Sequence, residues 1–301
     1  MFTLIRATEP SLDAAIARGV AEIGSSPRYQ YVLAGFIARL LKQQLLGILP
    51  SYSRHHSGQP GSPPATVPER AYRQAVAATR AALHQAVGAY LPPAVESMSE
   101  AIREAHLADS ADARAFAARL LAAHPSTRDR VPALADWYSR LGSLVGSASS
   151  ILDLACGLHP LESPWMPLAP ATRFVALDVD RRLVTLVDAW LTAVGIEHES
   201  RLADVAVDLP EGRFDIAYAL KLLPTLERQG DGLAAALLRR VDARWIIVSY
   251  PTASLSGRDR GMARNYRDQF ERLIAGEAWR VVEIELLPGE LVFVVDREPQ
   301  S

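Results

Sequence analysis

Two short apolar runs separated by a small-residue turn, the second ending on an acid, set the tightest limit on how this 301-residue chain can fold. Ile151, Leu152 and Leu154 make the first run, and Phe174-Val175-Ala176-Leu177 the second. Runs of this kind read as strands buried on both faces of a parallel sheet. Between them, Ala155-Cys156-Gly157 lets the backbone turn sharply and come close to a ligand. Asp178 ends the second run, about twenty residues after the turn, where open α/β sheets place the carboxylate that holds a ribose. The turn has one glycine, so the G-x-G-x-x-G pattern of a dinucleotide site is not met. The pattern fits an adenosine with a small charged tail, such as S-adenosylmethionine. The alternative is a glycine that only closes a tight turn.

The rest of the chain supplies an α/β alternation. Residues 11–49 predict two helices, one bearing Ile16, Val20 and Ile23, the other running from about Tyr31 through Phe36, Leu40 and Leu41 to Leu45. Ser51–Pro68, with five Ser or Thr and six Pro or Gly among eighteen, reads as a flexible insertion, and His55-His56 as a solvated pair rather than a metal site. Helices are expected over Glu69–Tyr90, stopped by Pro92-Pro93, then over Glu96–Ala108 and Asp112–Ala123. These complete an N-terminal helical bundle of about 120 residues. Ser126 or Thr127 is placed to cap a helix through Leu134, Trp137, Tyr138 and Leu141. After Asp178 come a helix over 181–194, strands over 199–203 and 214–220, a helix over 233–241, a strand over 245–250 and a helix over 265–275. A hairpin over 280–286 and 290–296 closes around Pro288-Gly289. The expected class is α/β: a Rossmann-like class I methyltransferase with a seven-stranded mixed sheet, 124–301, behind an N-terminal helical domain, 1–123.

Charge and composition narrow the function classes. Net charge is −2, but residues 1–130 carry +4 and residues 131–301 carry −6. All cations except Lys42 and Lys221 are arginine. An arginine-bearing N-terminal part on an acidic partner is compatible with nucleic acid, and also with ordinary surface chemistry. Cys156, the single cysteine, excludes an internal disulfide and fits a reducing cytosol. No apolar run nears the roughly 20 residues of a membrane span, and Met1–Arg6 lacks the charged-then-apolar pattern of a signal peptide. The histidines show no metal-site spacing. A cytoplasmic protein with no metal and no membrane partner is expected.

Several segments resemble one narrow family, the methyltransferases that modify N7 of guanine 1405 in 16S ribosomal RNA and give aminoglycoside resistance. They are Gly88-Ala89-Tyr90, His124–Arg130, Leu152–Leu161, Lys221–Arg228, and Ser249–Met262 followed by Asn265-Tyr266. The last is the most specific. Together they span about residue 70 to the end. The chain departs from the family in a longer 51–68 insertion, in His159 where asparagine is common, and in Pro125 where alanine is common.

Asp178 can accept both ribose hydroxyls, unless it serves instead as a helix N-cap beside Asp180. Gly157 lets the loop approach the methionine part. Arg130 offers a guanidinium fork to a carboxylate, the alternative being a surface ion pair. Asp204 suits an adenine amino group, with the Val205 amide at a ring nitrogen. The resemblance adds Tyr90, His124, Ser126, Leu220 and Gln229 as cofactor-lining positions. It implies the 30S subunit as partner; a monomer is expected, the sequence leaving the oligomeric state open. Guanine N7 carries a lone pair and no proton, so no general base is required. Lys221 and Arg258 are the candidates for positioning the target nucleotide, the alternative for Lys221 being a solvated strand-end lysine. Tyr250 and Tyr266 suit stacking on a flipped base or packing in the core. A small-molecule methyltransferase with a helical lid, and a non-enzymatic RNA-binding protein, are the competing functions. The first is disfavoured by the 249–262 segment, the second by Arg130, Gly157, Asp178 and Asp204 occurring together.

Overall fold

Amphipathic helices at one end and doubly buried strands at the other sort the chain into two units, Met1–Ala89 and Tyr90–Ser301. The computed structural model describes residues 10–53, 66–88, 95–105, 107, 109–124, 126–252, 262–287 and 289–298.

In the first unit α1 (Leu12–Gly24) and α2 (Ala34–Ser53) pack with α3 (Glu69–Leu83), which continues as one π-helical turn over His84–Gly88. Gly19 explains the closeness of α1 to α2: a Cβ there would lie 2.3 Å from Leu41 Cδ2. Tyr72 closes the core and donates its hydroxyl to Glu22 Oε2 at 2.8 Å. Ser51–Ser53, read from sequence as the start of the insertion, belong to α2. Pro50 removes one helical donor, and the Ser51 hydroxyl donates to the Ile48 carbonyl at 2.7 Å within that last turn.

The second unit is built on a seven-stranded sheet of order β3-β2-β1-β4-β5-β7-β6 among the described residues. Its strands are β1 (Ala148–Leu154), β2 (Leu168–Asp178), β3 (Glu197–Leu202), β4 (Phe214–Leu220), β5 (Ala243–Pro251), β6 (Arg280–Leu287) and β7 (Glu290–Asp296). β1 to β5 pair in parallel, and β7 pairs antiparallel with both β5 and β6. This is the expected Rossmann-like class I layout. Successive residues feed opposite cores: Ile151, Phe174, Ile216 and Ile247 join one, Leu152, Val175, Ala217 and Ile246 the other. Burial on both faces is why these strands read as continuous apolar runs instead of alternating ones. The β1–β4 register is pinned by Asp215 Oδ2, which accepts the Ser149 and Ser150 N–H groups at 2.7 and 3.0 Å.

The unit boundary falls at 89/90 and not at 123/124. The helices α4 (Val95–Glu104) and α5 (Ser110–Ala122) are not part of a 120-residue bundle. Val95, Met98, Ile102, Ala117 and Leu121 bury into the same core as Leu186 and Trp190 of α7 (Arg181–Ala193), because the apolar faces of α4 and α5 cover one side of the sheet. Neither Ser126 nor Thr127 caps the following helix through its side chain. A 3₁₀ turn over Arg128–Ala133 intervenes before α6 (Leu134–Val145), and the Thr127 hydroxyl donates backward to the Leu121 carbonyl at 2.6 Å. A short α8 (Leu223–Gln229) precedes α9 (Leu233–Arg240) and α10 (Met262–Leu273).

Trp190 is fully buried, stacks on Phe116 and donates Nε1–H to Ser163 Oγ at 3.1 Å. Trp190→Ala should cost about 3–5 kcal/mol, read as a lower urea midpoint at unchanged slope. An unchanged midpoint would contradict this packing.

Candidate active site

Parallel strands deliver their C-terminal ends to one edge, and ligands bind there where the strand order reverses, here between β1 and β4. Gly157, Asp178, Leu220 and Lys221 close or follow β1, β2 and β4 at that edge. After β1 the chain turns through Ala155 (φ 51°) and Gly157 (φ 53°), both left-handed. The alanine adopts this conformation at a cost of about 1 kcal/mol or more. A Cβ on Gly157 would meet nothing within 4 Å, so the turn faces open space.

Asp178 closes β2 and is buried. Backbone N–H groups meet its carboxylate: Gly157 donates to Oδ2 at 3.0 Å and Asp180 to Oδ1 at 2.9 Å. Asp180, not Asp178, caps α7 by accepting the Arg182 N–H at 2.9 Å. Burial nevertheless outweighs these hydrogen bonds and pushes the Asp178 carboxyl up to about 6. Keeping it ionised at neutral pH costs on the order of 3 kcal/mol relative to a carboxyl titrating at 3.8. The sign follows: this group's stability contribution is full below 3.8 and is lost as pH rises through about 6. A carboxylate held so expensively at a strand end is characteristic of a binding site.

Beyond β3, Asp204 and Val205 are buried, and the Ala203 N–H donates to the Asp178 carbonyl at 2.9 Å, joining this loop to the β2 end. Asp204 Oδ1 accepts the Ala206 N–H at 3.1 Å. Leu220 ends β4 half-buried, and Gln229 ends α8 buried. Tyr250 is buried against Tyr266, Phe270 and Phe293, so it is a core residue. Tyr90 and Arg258 lie outside the described residues.

The remaining candidates meet in a chain of buried polar contacts. Arg130 Nε donates to Glu162 Oε1 at 2.6 Å and Nη1 to Glu290 Oε1 at 3.3 Å, all three residues being about 5 % exposed or less. Arg130 is therefore no surface ion pair. Burial alone would lower its pKa, but Glu162 and Glu290 outweigh burial and hold it above the ordinary value. Lys221 Nζ donates to the same Glu290 oxygen at 2.7 Å and to the Ser126 carbonyl at 2.8 Å. It is thus not a solvated strand-end lysine, and its backbone is left-handed, φ 55°. Burial works against the Glu290 charge, yet Arg130 and Lys221 keep that carboxyl below the usual range. Ser126 gives His124 Nδ1 both its hydroxyl, at 2.6 Å, and its N–H, at 3.2 Å. Burial, then Lys221, depress the His124 pKa, which suits a neutral ring accepting at Nδ1. At the other end, Tyr138 donates to Glu162 Oε2 at 2.8 Å and meets His159 Nε2 at 2.9 Å, whose Nδ1 pairs with Asp153 at 2.7 Å.

Sequence reasoning missed Glu162, Glu290, Tyr138 and Asp153. Tyr138 read as part of an apolar helix face. The usable signal was Glu290, an acid opening a strand that is buried throughout.

A family model described as ribosomal RNA methyltransferase (FmrO) matches residues 67–294. The chain is 36% identical over 227 residues, 74% of its length and 82% of the relative's, to a 16S rRNA (guanine(1405)-N(7))-methyltransferase of Micromonospora echinospora. The chain belongs to the 16S rRNA (guanine(1405)-N(7))-methyltransferase family. Another member, from Serratia marcescens, is 31% identical over 225 residues, 75% of this chain and 84% of that one. Among solved structures, the 16S rRNA methyltransferase RmtF, in complex with S-adenosyl-L-homocysteine, superposes with TM-score 0.72 at 27% identity, covering 94% of this chain and 98% of that one. The 16S rRNA methylase RmtB gives 0.70 at 25%, with the same coverage. The strand-end edge and the buried Arg130 network lie in one unit, Tyr90–Ser301.

Arg130→Met would leave Glu162 and Glu290 without their shared buried cation, at a cost of about 3–5 kcal/mol. Because acid neutralises the stranded carboxylates, the deficit in chemical unfolding should shrink towards low pH. A deficit independent of pH would contradict the buried-pair account.

Proposed function

We propose that this protein transfers a methyl group from S-adenosylmethionine to N7 of guanine 1405 in 16S ribosomal RNA, with the 30S subunit as its substrate in the cytosol. The observation that carries the reading is the Asp178 carboxylate, held largely by backbone N–H groups beside the open Gly157 turn in a chain of this family. The donor set fits an adenosyl group with an amino-acid tail. Asp178 supplies the acceptor for two vicinal hydroxyls, and Asp204 with the Val205 amide supplies an acceptor and a donor for the adenine edge. Leu220 and Gln229 line the remaining side, with His124 and Ser126 near the tail. Arg130 meets the tail's carboxylate with a guanidinium already fixed in place, two of its five donors being engaged by Glu162 and Glu290.

S-adenosylmethionine supplies, when bound, an electrophilic methyl on a sulfonium, which a lone pair on guanine N7 can take with no proton to remove. The chain's own task is then to bind and align, and orientation of this kind can supply about 7–11 kcal/mol. Consistent with this, the residues after β4 are Lys221-Leu222-Leu223-Pro224, which lack the Asn/Asp-Pro-Pro-aromatic pattern of amino-group methyltransferases. Lys221 and Arg258 position the target nucleotide.

Met1–Ala89 carries nine Lys and Arg against four Asp and Glu, a net +5, which suits docking on ribosomal RNA. Several of these arginines are paired, Arg18 and Arg73 with Glu69 and Arg80 with Glu22, while Lys42 and Arg70 are exposed. A methyl on N7 removes a Hoogsteen acceptor and leaves a fixed positive charge on the base. Both changes oppose a polycationic aminoglycoside, so resistance is the expected consequence.

Incubation with 30S subunits and labelled donor should place 7-methylguanine at position 1405 by mass mapping, with little label on free ribosomal RNA. Label on small molecules alone, or on adenine 1408, would overturn the reading. Asp178→Asn should weaken S-adenosylhomocysteine binding at least about tenfold. In the wild type the same affinity should fall as pH drops through about 6, where Asp178 protonates and can no longer accept both hydroxyls. A pH-independent affinity would count against Asp178 as the ribose ligand.

A further inference from the structure

Lys221 is held from three directions. Its N–H donates to the Ser249 carbonyl at 2.9 Å, and its ammonium to the Ser126 carbonyl and to Glu290 Oε1 at 2.8 and 2.7 Å. Its left-handed backbone, φ 55°, is one that a side-chain-bearing residue keeps only when its surroundings enforce it. Of these anchors only Glu290 bears charge, and its single oxygen Oε1 also faces Arg130 Nη1 at 3.3 Å. Glu162 holds Arg130 independently at 2.6 Å, so Arg130 does not need Glu290 for its placement, whereas among the described residues Lys221 has no other carboxylate at ion-pair distance.

We infer that Glu290 is a positioning residue for methyl transfer that acts through Lys221, fixing the ammonium for the target nucleotide and neutralising its charge. The inference rests on the methyltransferase reading and deepens it. Transfer moves positive charge from sulfur onto the guanine ring. Two bare cations in a buried site would oppose both the donor and the methylated product. With Glu162 and Glu290 present, the pairs Arg130–Glu162 and Lys221–Glu290 are neutral, and Lys221 contributes directed hydrogen bonding at little electrostatic cost. Placing the carboxylate at the start of β7, opposite Pro251 in the β5–β7 register, brings it to the strand edge where β5 ends.

The test compares Glu290→Gln, Lys221→Met and the double variant in the full chain. The readouts are kcat on 30S at saturating S-adenosylmethionine, S-adenosylhomocysteine affinity by calorimetry, and the melting temperature. Glu290→Gln should lower kcat roughly ten- to a hundredfold, the range for a lost charge-assisted hydrogen bond, with S-adenosylhomocysteine affinity within about threefold of wild type. In the Lys221→Met background it should lower kcat no further. An unchanged kcat, an equal loss in both backgrounds, or an affinity loss matching the kcat loss would each overturn the inference. Should Glu290→Gln fail to fold, Glu290→Asp keeps the charge but withdraws it: a kcat loss with retained affinity supports the inference, and an unchanged kcat overturns it. If the wild-type protein neither binds S-adenosylhomocysteine nor labels 30S, the enzymatic reading itself fails. An active wild type with an indifferent Glu290→Gln defeats this inference alone.

Discussion

The buried guanidinium of Arg130, paired with Glu162 at 2.6 Å and with Glu290 at 3.3 Å, is the interaction on which the site depends. It joins segments far apart in sequence: the 3₁₀ turn before α6, the turn after β1 and the first residue of β7. Through Glu290 it reaches Lys221 at the end of β4, and through Glu162 and Tyr138 it reaches His159 and Asp153. Burying these charges is costly, and ion pairs of this kind add little net stability. What they fix is geometry. Each charge has one low-energy arrangement once water is excluded, so the loops carrying them have little freedom to misplace a ligand-binding group.

The sheet explains why such a network was needed. Strand order reverses between β1 and β4, and this leaves a crevice whose walls are loops, not strands. Loops are imprecise unless tied down. Left-handed Ala155, Gly157 and Lys221 mark where the backbone bends at the crevice. The Gly157 N–H bonded to Asp178, the Ala203 N–H bonded to the β2 end and the Lys221 N–H bonded to β5 mark how each bend is secured. Stability is given up at Asp178, whose charge is kept in a place that disfavours it, and two deep apolar cores on either side of the sheet supply the margin.

Much of this was legible in the chain. The β1 and β2 runs, the acid ending the second, and the closing hairpin follow from local pattern, because doubly buried strands must be apolar throughout and a turn needs its glycine, here Gly289 with φ 76°. The candidate-site positions of Gly157 and Asp178 were legible for the same reason: they lie next to the pattern that reveals them. The 89/90 boundary was not, since the apolar faces of α4 and α5 look alike whether they cover a helix or a sheet. The end of α2 was missed because Pro50 suggests a stop, while the last turn in fact survives it. The pairing of Glu162 and Glu290 with Arg130 was invisible because the partners lie 32 and 160 residues apart, and sequence periodicity carries no information on such pairings.

The most direct test is a crystal structure of the protein with S-adenosylhomocysteine. It should show the ribose hydroxyls on Asp178 and the amino-acid carboxylate on Arg130, with the Arg130–Glu162 pair intact. A ligand lodged away from the Gly157 turn, or an Arg130 that abandons Glu162 and leaves the carboxylate unmet, would contradict the account.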